Sequence, residues 1–142
     1  GKIYKIISRK KEIAAKYKLH LEEVEGVILP ANADWVDNVY WLYTILIDST
    51  ITGCEIDELM MELQQQGIDS RPVFPPMHKQ PIYDTGLALP IAEKISLCGI
   101  SLPSAPEIDN KNIAIICKII KDVIEEKKLN KMLLESKKVS KS

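Results

Sequence analysis

Three cysteines, a single phenylalanine, no excess of positive charge and no apolar run of bilayer length are the shortages of this sequence, and each removes a class of protein. Cys54, Cys98 and Cys117 are far apart, odd in number and form no C-x-x-C pair, which suits neither a disulfide framework nor a zinc site. All three read as reduced thiols, with Cys98 and Cys117 as small buried hydrophobes. A formal net charge of -1 supplies no general field for nucleic acid or an anionic membrane, so only the Lys-rich last dozen residues could act locally, and nucleic acid is discounted as a partner. No apolar run approaches the ~18 residues of a membrane span. The start, "GKIYKIISRKK", lacks a signal-peptide core, so a cytoplasmic protein with no membrane partner is expected.

What remains is material for one ordinary domain: 142 residues, 46% of them hydrophobic, can bury a single core but not two. The chain opens at Gly1 without methionine and runs straight into a helical pattern, as expected of a piece of something longer. From Ile3 the apolar positions Ile6, Ile7, Ile13, Ala14, Tyr17, Leu21 and Val24 fall near helical spacing, with "SRKKE" as the solvated face and Gly26 as the stop. After "VILP", the β-branched and aromatic run "VYWLYTILID" predicts a central strand. "STITG" then predicts a turn, and "CEIDELMMELQQQG" a helix capped at Gly67 with both methionines in the core.

"IDSRPVF" suits an edge strand, because Pro72 has no N–H for a ladder. The segment "LPIAEKISLCG" predicts a short helix with Pro90 in its first turn. "NKNIAIICKIIKDVIEEKK" predicts the last strong helix, led in by Asp109 or Asn110, and the end reads as a frayed helix or disordered tail. No repeat is visible. The order helix, strand, strand, helix, strand, helix, helix implies an α+β fold, a small, mostly antiparallel sheet with helices packed on one face.

Between the edge strand and the short helix lies "GIDSRPVFPPMHKQPIY". Prolines 72, 75, 76 and 81 restrict the unfolded chain and fix an irregular path, so the side chains among them are held without regular structure, which suits a binding loop. Arg71 offers a fork of donors to a carboxylate or phosphate, or simply pairs with a surface carboxylate. His78 is a donor or acceptor near neutral pH, or only satisfies a backbone carbonyl. Tyr83 offers a flat surface with a polar tip, or is core. Lys79 is an amine with nothing evident to lower its pKa, which argues against a Schiff base. His20 and His78 have no carboxylate cluster at ligand spacing, which argues against a metal hydrolase.

The succession "RKKEIAAKY", "ILPANADWVDNVYWLYTILID", "ELQQQGIDSRPVFPPMHKQPIY" and "LPIAEKISLCGISLPSAPEI" resembles the C-terminal part of the DegT/DnrJ/EryC1/StrS sugar aminotransferases. The likeness covers about residues 5 to 125 in unbroken order. Within the family, "SRPVF-PMH--P-Y" and "A--IS--GISLP" look most like the perosamine synthetase branch. The resemblance implies the small C-terminal domain of an aspartate-aminotransferase-fold (fold type I) pyridoxal-phosphate enzyme, over residues 1–126, with residues 127–142 as tail. It implies a parent enzyme that aminates a nucleotide-linked 4-keto-6-deoxy sugar, GDP-linked in that branch, with glutamate as donor, and that forms a homodimer.

By the same resemblance the loop from Arg71 to Tyr83 faces the site, with Arg71, Phe74, His78 and Tyr83 on the substrate side and His78 as a hydrogen-bond donor to sugar or phosphate. No segment resembles the Schiff-base lysine, the aspartate that partners the pyridine nitrogen, or most of the phosphate cradle. The large cofactor-binding domain is thus expected outside this chain, which alone would hold no catalytic residue, bind no cofactor and be inactive. The alternative from another class is a stand-alone interaction or small-ligand-binding module descended from such an enzyme.

Overall fold

Tyr43, Ile45 and Ile47 are buried and alternate with half-buried Thr44 and Leu46, the two-residue period of a strand covered chiefly on one face. That strand belongs to a computed structural model describing residues 1–84 and 86–139. In chain order the elements are α1 (Lys2–Leu21), β1 (Val27–Ile28), β2 (Tyr43–Ile47), α2 (Ser49–Thr52), α3 (Ile56–Gln65), β3 (Arg71–Pro72), a 3-10 turn (Met77–Lys79), α4 (Pro90–Cys98), β4 (Gly99–Leu102) and α5 (Asn110–Val139).

The sheet is antiparallel throughout in the order β1-β2-β4-β3. The run around β2 is central as expected, although Trp41 and Leu42 stay outside the strand and exposed. The expected strand at "IDSRPVF" is an edge, shortened to Arg71 and Pro72. β4 was not expected, since the sequence reading ends the short helix at Gly99 and assigns residues 100–102 no element. It is nevertheless the inner strand that joins β2 to the edge, with Tyr43 opposite Leu102 and Arg71 opposite Ser101.

The core lies between this sheet and helices α1, α3 and α5. Ile13, Ala14, Tyr17 and Leu21 of α1 meet Ile56, Leu59 and Leu63 of α3 and Ile113, Ile116, Cys117, Ile120 and Ile124 of α5, each large side chain contributing about 1.5–3 kcal/mol. Tyr17 and Tyr43 stack with ring centroids 4.8 Å apart, and the Tyr17 hydroxyl donates to the Pro103 carbonyl at 2.6 Å. The apolar stripe of α1 begins later than its sequence suggests, for Ile3 and Tyr4 are exposed.

Several boundaries differ from the sequence reading. α1 ends at Leu21, and Gly26, with φ of +87°, instead turns the chain into β1, where its carbonyl accepts from Asp48 N–H at 2.8 Å. "STITG" forms one helical turn, α2, because the Asp48 carboxylate accepts from Thr50 N–H at 3.0 Å and Gly53 closes it in the left-handed region. Met60 is half-buried but Met61 is 55% exposed, so only one of the pair adjoins the core. Cys98 is half-buried, whereas Cys54 is sealed. Residues 127–139 continue α5, with Lys127 on Glu58 at 2.6 Å and Lys131 on the Thr50 carbonyl at 2.5 Å. The remainder of the expected tail, 140–142, lies outside the described residues.

Candidate binding groove

β3 is brief because its second residue is a proline on the sheet edge. Val73 N–H still reaches the Gly99 carbonyl at 3.2 Å, and beyond it Pro75 and Pro76 turn the chain away. Arg71 and Phe74 thereby line a groove of about 570 Å³ together with Trp41, Lys10, Pro103 and Ser104. Trp41 and Phe74 are 73% and 70% exposed, an arrangement of aromatic surface beside cationic groups that suits a ligand with a flat or apolar part and an anionic part.

Among the described residues the Arg71 guanidinium is bound only by the Asp69 carboxylate at 3.1 Å, and both side chains are largely exposed. A pair of this kind is worth about 0–1 kcal/mol, so an incoming anion displaces little. Lys10 is held differently. Its ammonium donates to the Trp41 carbonyl at 2.8 Å, the Ser104 carbonyl at 2.7 Å and the Ser104 hydroxyl at 3.3 Å. Burial lowers its pKa, opposed by the charge of Glu107. Beside it Arg9 donates from Nε to the Pro106 carbonyl at 3.2 Å. The "SRKKE" stretch is therefore not simply a solvated face: two of its cations tie α1 to the loop after β4.

His78 and Tyr83 do not line the groove. His78 is buried, 7% exposed, on the 3-10 turn, and its Nε2 lies 3.0 Å from Oε1 of Glu93. The same oxygen accepts from Leu89 N–H at 3.2 Å and lies 3.4 Å from Lys79 Nζ. Tyr83 is half-exposed beyond the turn, where its N–H donates to the Gln80 carbonyl at 2.8 Å. The four residues singled out from sequence thus divide: Arg71 and Phe74 share the groove, while His78 and Tyr83 sit on the proline-braced segment outside its lining.

Sequence reasoning missed Lys10, Trp41 and Glu93. For Glu93 a signal existed, since an acidic residue in the first turn after "LP" is placed to reach back to an unpaired N–H. For Lys10 and Trp41 there was none, because both enter the groove through contacts distant in sequence.

Neither lysine near this region fits a carbonyl cofactor. All three Lys10 donors are taken, and Lys79 is exposed and faces a carboxylate. Among the described residues no three His, Cys, Asp or Glu side chains converge as metal ligands, and no helix is long and apolar enough to cross a membrane.

The family model described as the DegT/DnrJ/EryC1/StrS aminotransferase family matches residues 1–121. The chain is similar to a GDP-perosamine synthase of Escherichia coli O157:H7, with 37% identity over 122 residues, covering 85% of this chain and 32% of the relative. It is also similar to a GDP-perosamine synthase of Vibrio cholerae, with 32% identity over 85% of this chain and 33% of the relative. Among solved structures, DesI in the presence of its TDP-sugar product shares the fold, with a TM-score of 0.79 and 23% identity over 91% of this chain and 34% of that one. DesV of S. venezuelae in complex with a ketimine intermediate superposes with a TM-score of 0.74 and 27% identity over 84% of this chain and 32% of that one. The small antiparallel sheet with helices is thus the architecture expected from the sequence, that of fold type I sugar aminotransferases, and the chain spans about a third of the length of the relatives it matches.

Proposed function

Since the chain belongs to the DegT/DnrJ/EryC1/StrS aminotransferase family, we propose that it is the C-terminal small domain of a pyridoxal-phosphate enzyme that aminates a nucleotide-linked 4-keto-6-deoxy sugar. The branch nearest in our reading is perosamine synthesis, with glutamate as donor, in a cytoplasmic homodimer. The observation that carries the reading is the continuity of the match: 85% of the chain aligns with a GDP-perosamine synthase at 37% identity.

Pyridoxal phosphate supplies the carbanion stabilisation of a transamination. Lys10 of the groove and Lys79 of the 3-10 turn do not fit it, so its Schiff-base lysine, its pyridine partner and most of its phosphate contacts belong to a companion domain. This chain's own part is to bind and orient. Arg71, exposed and weakly paired, receives an anionic group of the ligand. Phe74 and Trp41 offer flat faces to its apolar part, and the prolines hold the rim still, which limits the ordering cost of binding. Tyr83 and His78 lie further along the segment, outside the lining of this groove, and are assigned to the substrate side by the family resemblance alone.

The test is steady-state kinetics of the full-length enzyme. Arg71→Ala and Phe74→Ala are each expected to raise KM for the nucleotide keto-sugar about tenfold, the equivalent of ~1.4 kcal/mol, while KM for glutamate changes less. Unaltered constants for both substrates in the Arg71→Ala and His78→Ala enzymes would remove these residues from the site.

A further inference from the structure

α5 runs on past the core that it helps to build. Its last buried residue is Ile124, and the turns that follow are tied to the body through lysines: Lys127 to Glu58 at 2.6 Å, Lys128 to Glu25 at 3.1 Å and Lys131 to the Thr50 carbonyl at 2.5 Å. Gly53 permits this close approach, since a Cβ there would meet the Lys127 carbonyl oxygen at 3.2 Å. The helix is thereby fixed in rotation, and the face away from Lys127 and Lys131 is turned to solvent. On that face Glu125, Leu129, Leu133 and Lys137 recur every four residues, which makes them one ridge of the helix surface. All four are exposed, Leu129 by 58% and Leu133 by 50%, and Met132 beside them by 66%. Adjoining apolar side chains on a face held this firmly suit contact with another surface.

The order of charges along the ridge selects that surface. Read from its other end, Glu-Leu-Leu-Lys becomes Lys-Leu-Leu-Glu. A second helix of the same sequence laid antiparallel therefore sets leucine on leucine and a glutamate against a lysine at both ends, whereas a parallel one would oppose like charges. Such self-complementarity is what a two-fold contact between identical chains requires, and ridges of this spacing interdigitate in the commonest class of helix packing. Lys137 also has an interaction within its own chain; only the sign and place of its charge enter here. We propose that this ridge of α5 docks a second copy of the chain, antiparallel about a two-fold axis, with Leu129 on the partner's Leu133 and Glu125 against the partner's Lys137. The ridge lies beyond residues 1–121, the part that the family model matches, and the proposal does not rest on the aminotransferase reading. Four residues a side fall well short of the ~1,200 Å² of a stable interface, so the association is weak and is read at high concentration.

Sedimentation equilibrium of the 142-residue chain, carried up to millimolar concentration, tests it. The unaltered chain should pass reversibly from monomer to dimer. Glu125→Lys and Lys137→Glu should each weaken dimerisation about tenfold, because each turns two symmetry-related attractions into repulsions. The double variant Glu125→Lys with Lys137→Glu, whose ridge reads Lys-Leu-Leu-Glu, should dimerise as the unaltered chain does. An equimolar mixture of the two single variants should form the mixed dimer. Leu133→Gln should abolish association and leave the urea midpoint in place, since that side chain is exposed. A monomer at every concentration assigns the ridge to another occupant, the companion domain or a different protein, and overturns the proposal. So does a dimer that none of these substitutions weakens, and so does a mixture that recovers while the double variant does not, which would exclude the antiparallel order. Each of these failures leaves the functional reading to its own kinetic test.

Discussion

Two glycines show what a single residue discloses before folding. Gly67 was legible, because its demand is local: φ of +75° follows the last turn of α3, and Gly67 N–H and Ile68 N–H close back on the carbonyls of Gln64 and Leu63. Gly99 was not legible, because its demand is made by neighbours. With an ordinary φ of -95° it starts β4, and an added methyl group would meet the Ile95 carbonyl oxygen at 2.6 Å and press on the side chain of Val73. The buried thiols follow the same logic, for the burial of Cys54 and the partial exposure of Cys98 depend on packing, not on their own surroundings in sequence. Gly99→Ala is expected to cost on the order of 1–3 kcal/mol, the range of an overpacked site. Gly67→Ala, which meets open space, should cost less, about 1 kcal/mol, through φ alone. Urea unfolding checks both: the Gly99→Ala midpoint should lie lower at an unchanged slope, and equal midpoints would refute the steric argument.

At the level of elements, periodicity disclosed the helices and the two-residue alternation disclosed β2, while β4 stayed hidden. Its four residues follow α4 with no intervening turn, all four are buried, and only Ile100 is β-branched, so there was neither alternation nor a boundary signal to read. The same absence concealed part of the groove, whose lining includes Ser101 and Leu102 of that strand. Arg71 and Phe74 were visible because their own segment is unusual; Lys10 and Trp41 were not, because only the fold brings them there. The start of α5 was left between two residues, and the structure decides for Asp109, whose carboxylate accepts from Asn112 N–H at 2.7 Å. Asp109→Ala should lower stability by about 1 kcal/mol, the usual value of an N-cap, and Asp109→Ser should recover most of it because its hydroxyl can accept the same bond. A thermal or urea series shows this directly, and an Asp109→Ala midpoint equal to that of the unaltered chain would mean that the cap does not hold the helix.

For the whole molecule, one core encloses four ionisable groups in their neutral forms, and this couples its stability to alkaline pH. Burial is the leading cause at each: it pushes the Cys54 thiol up to about 11 and the Cys117 thiol up to about 12 from an ordinary 9.0, and it raises Tyr17 and Tyr43 as well. The folded pKa values lie above the unfolded ones, so this contribution is complete below pH 9.0 and is lost as pH rises toward the folded values. In that window the unfolded chain releases protons that the folded chain keeps, and each thiol removes up to ~1.4 kcal/mol per pH unit. By about pH 11 the two thiols together take away on the order of 5 kcal/mol, with Tyr17 and Tyr43 adding to the loss above their ordinary range, against a total stability of about 5–15 kcal/mol for a domain of this kind. Cys117→Ala should therefore begin less stable at neutral pH, through the small cavity it leaves, yet decline less steeply above about pH 9, because one proton-linked group has gone. Urea midpoints measured at closely spaced pH values separate the two effects, and a decline as steep in Cys117→Ala as in the unaltered chain would show that the thiol is not held neutral by the core.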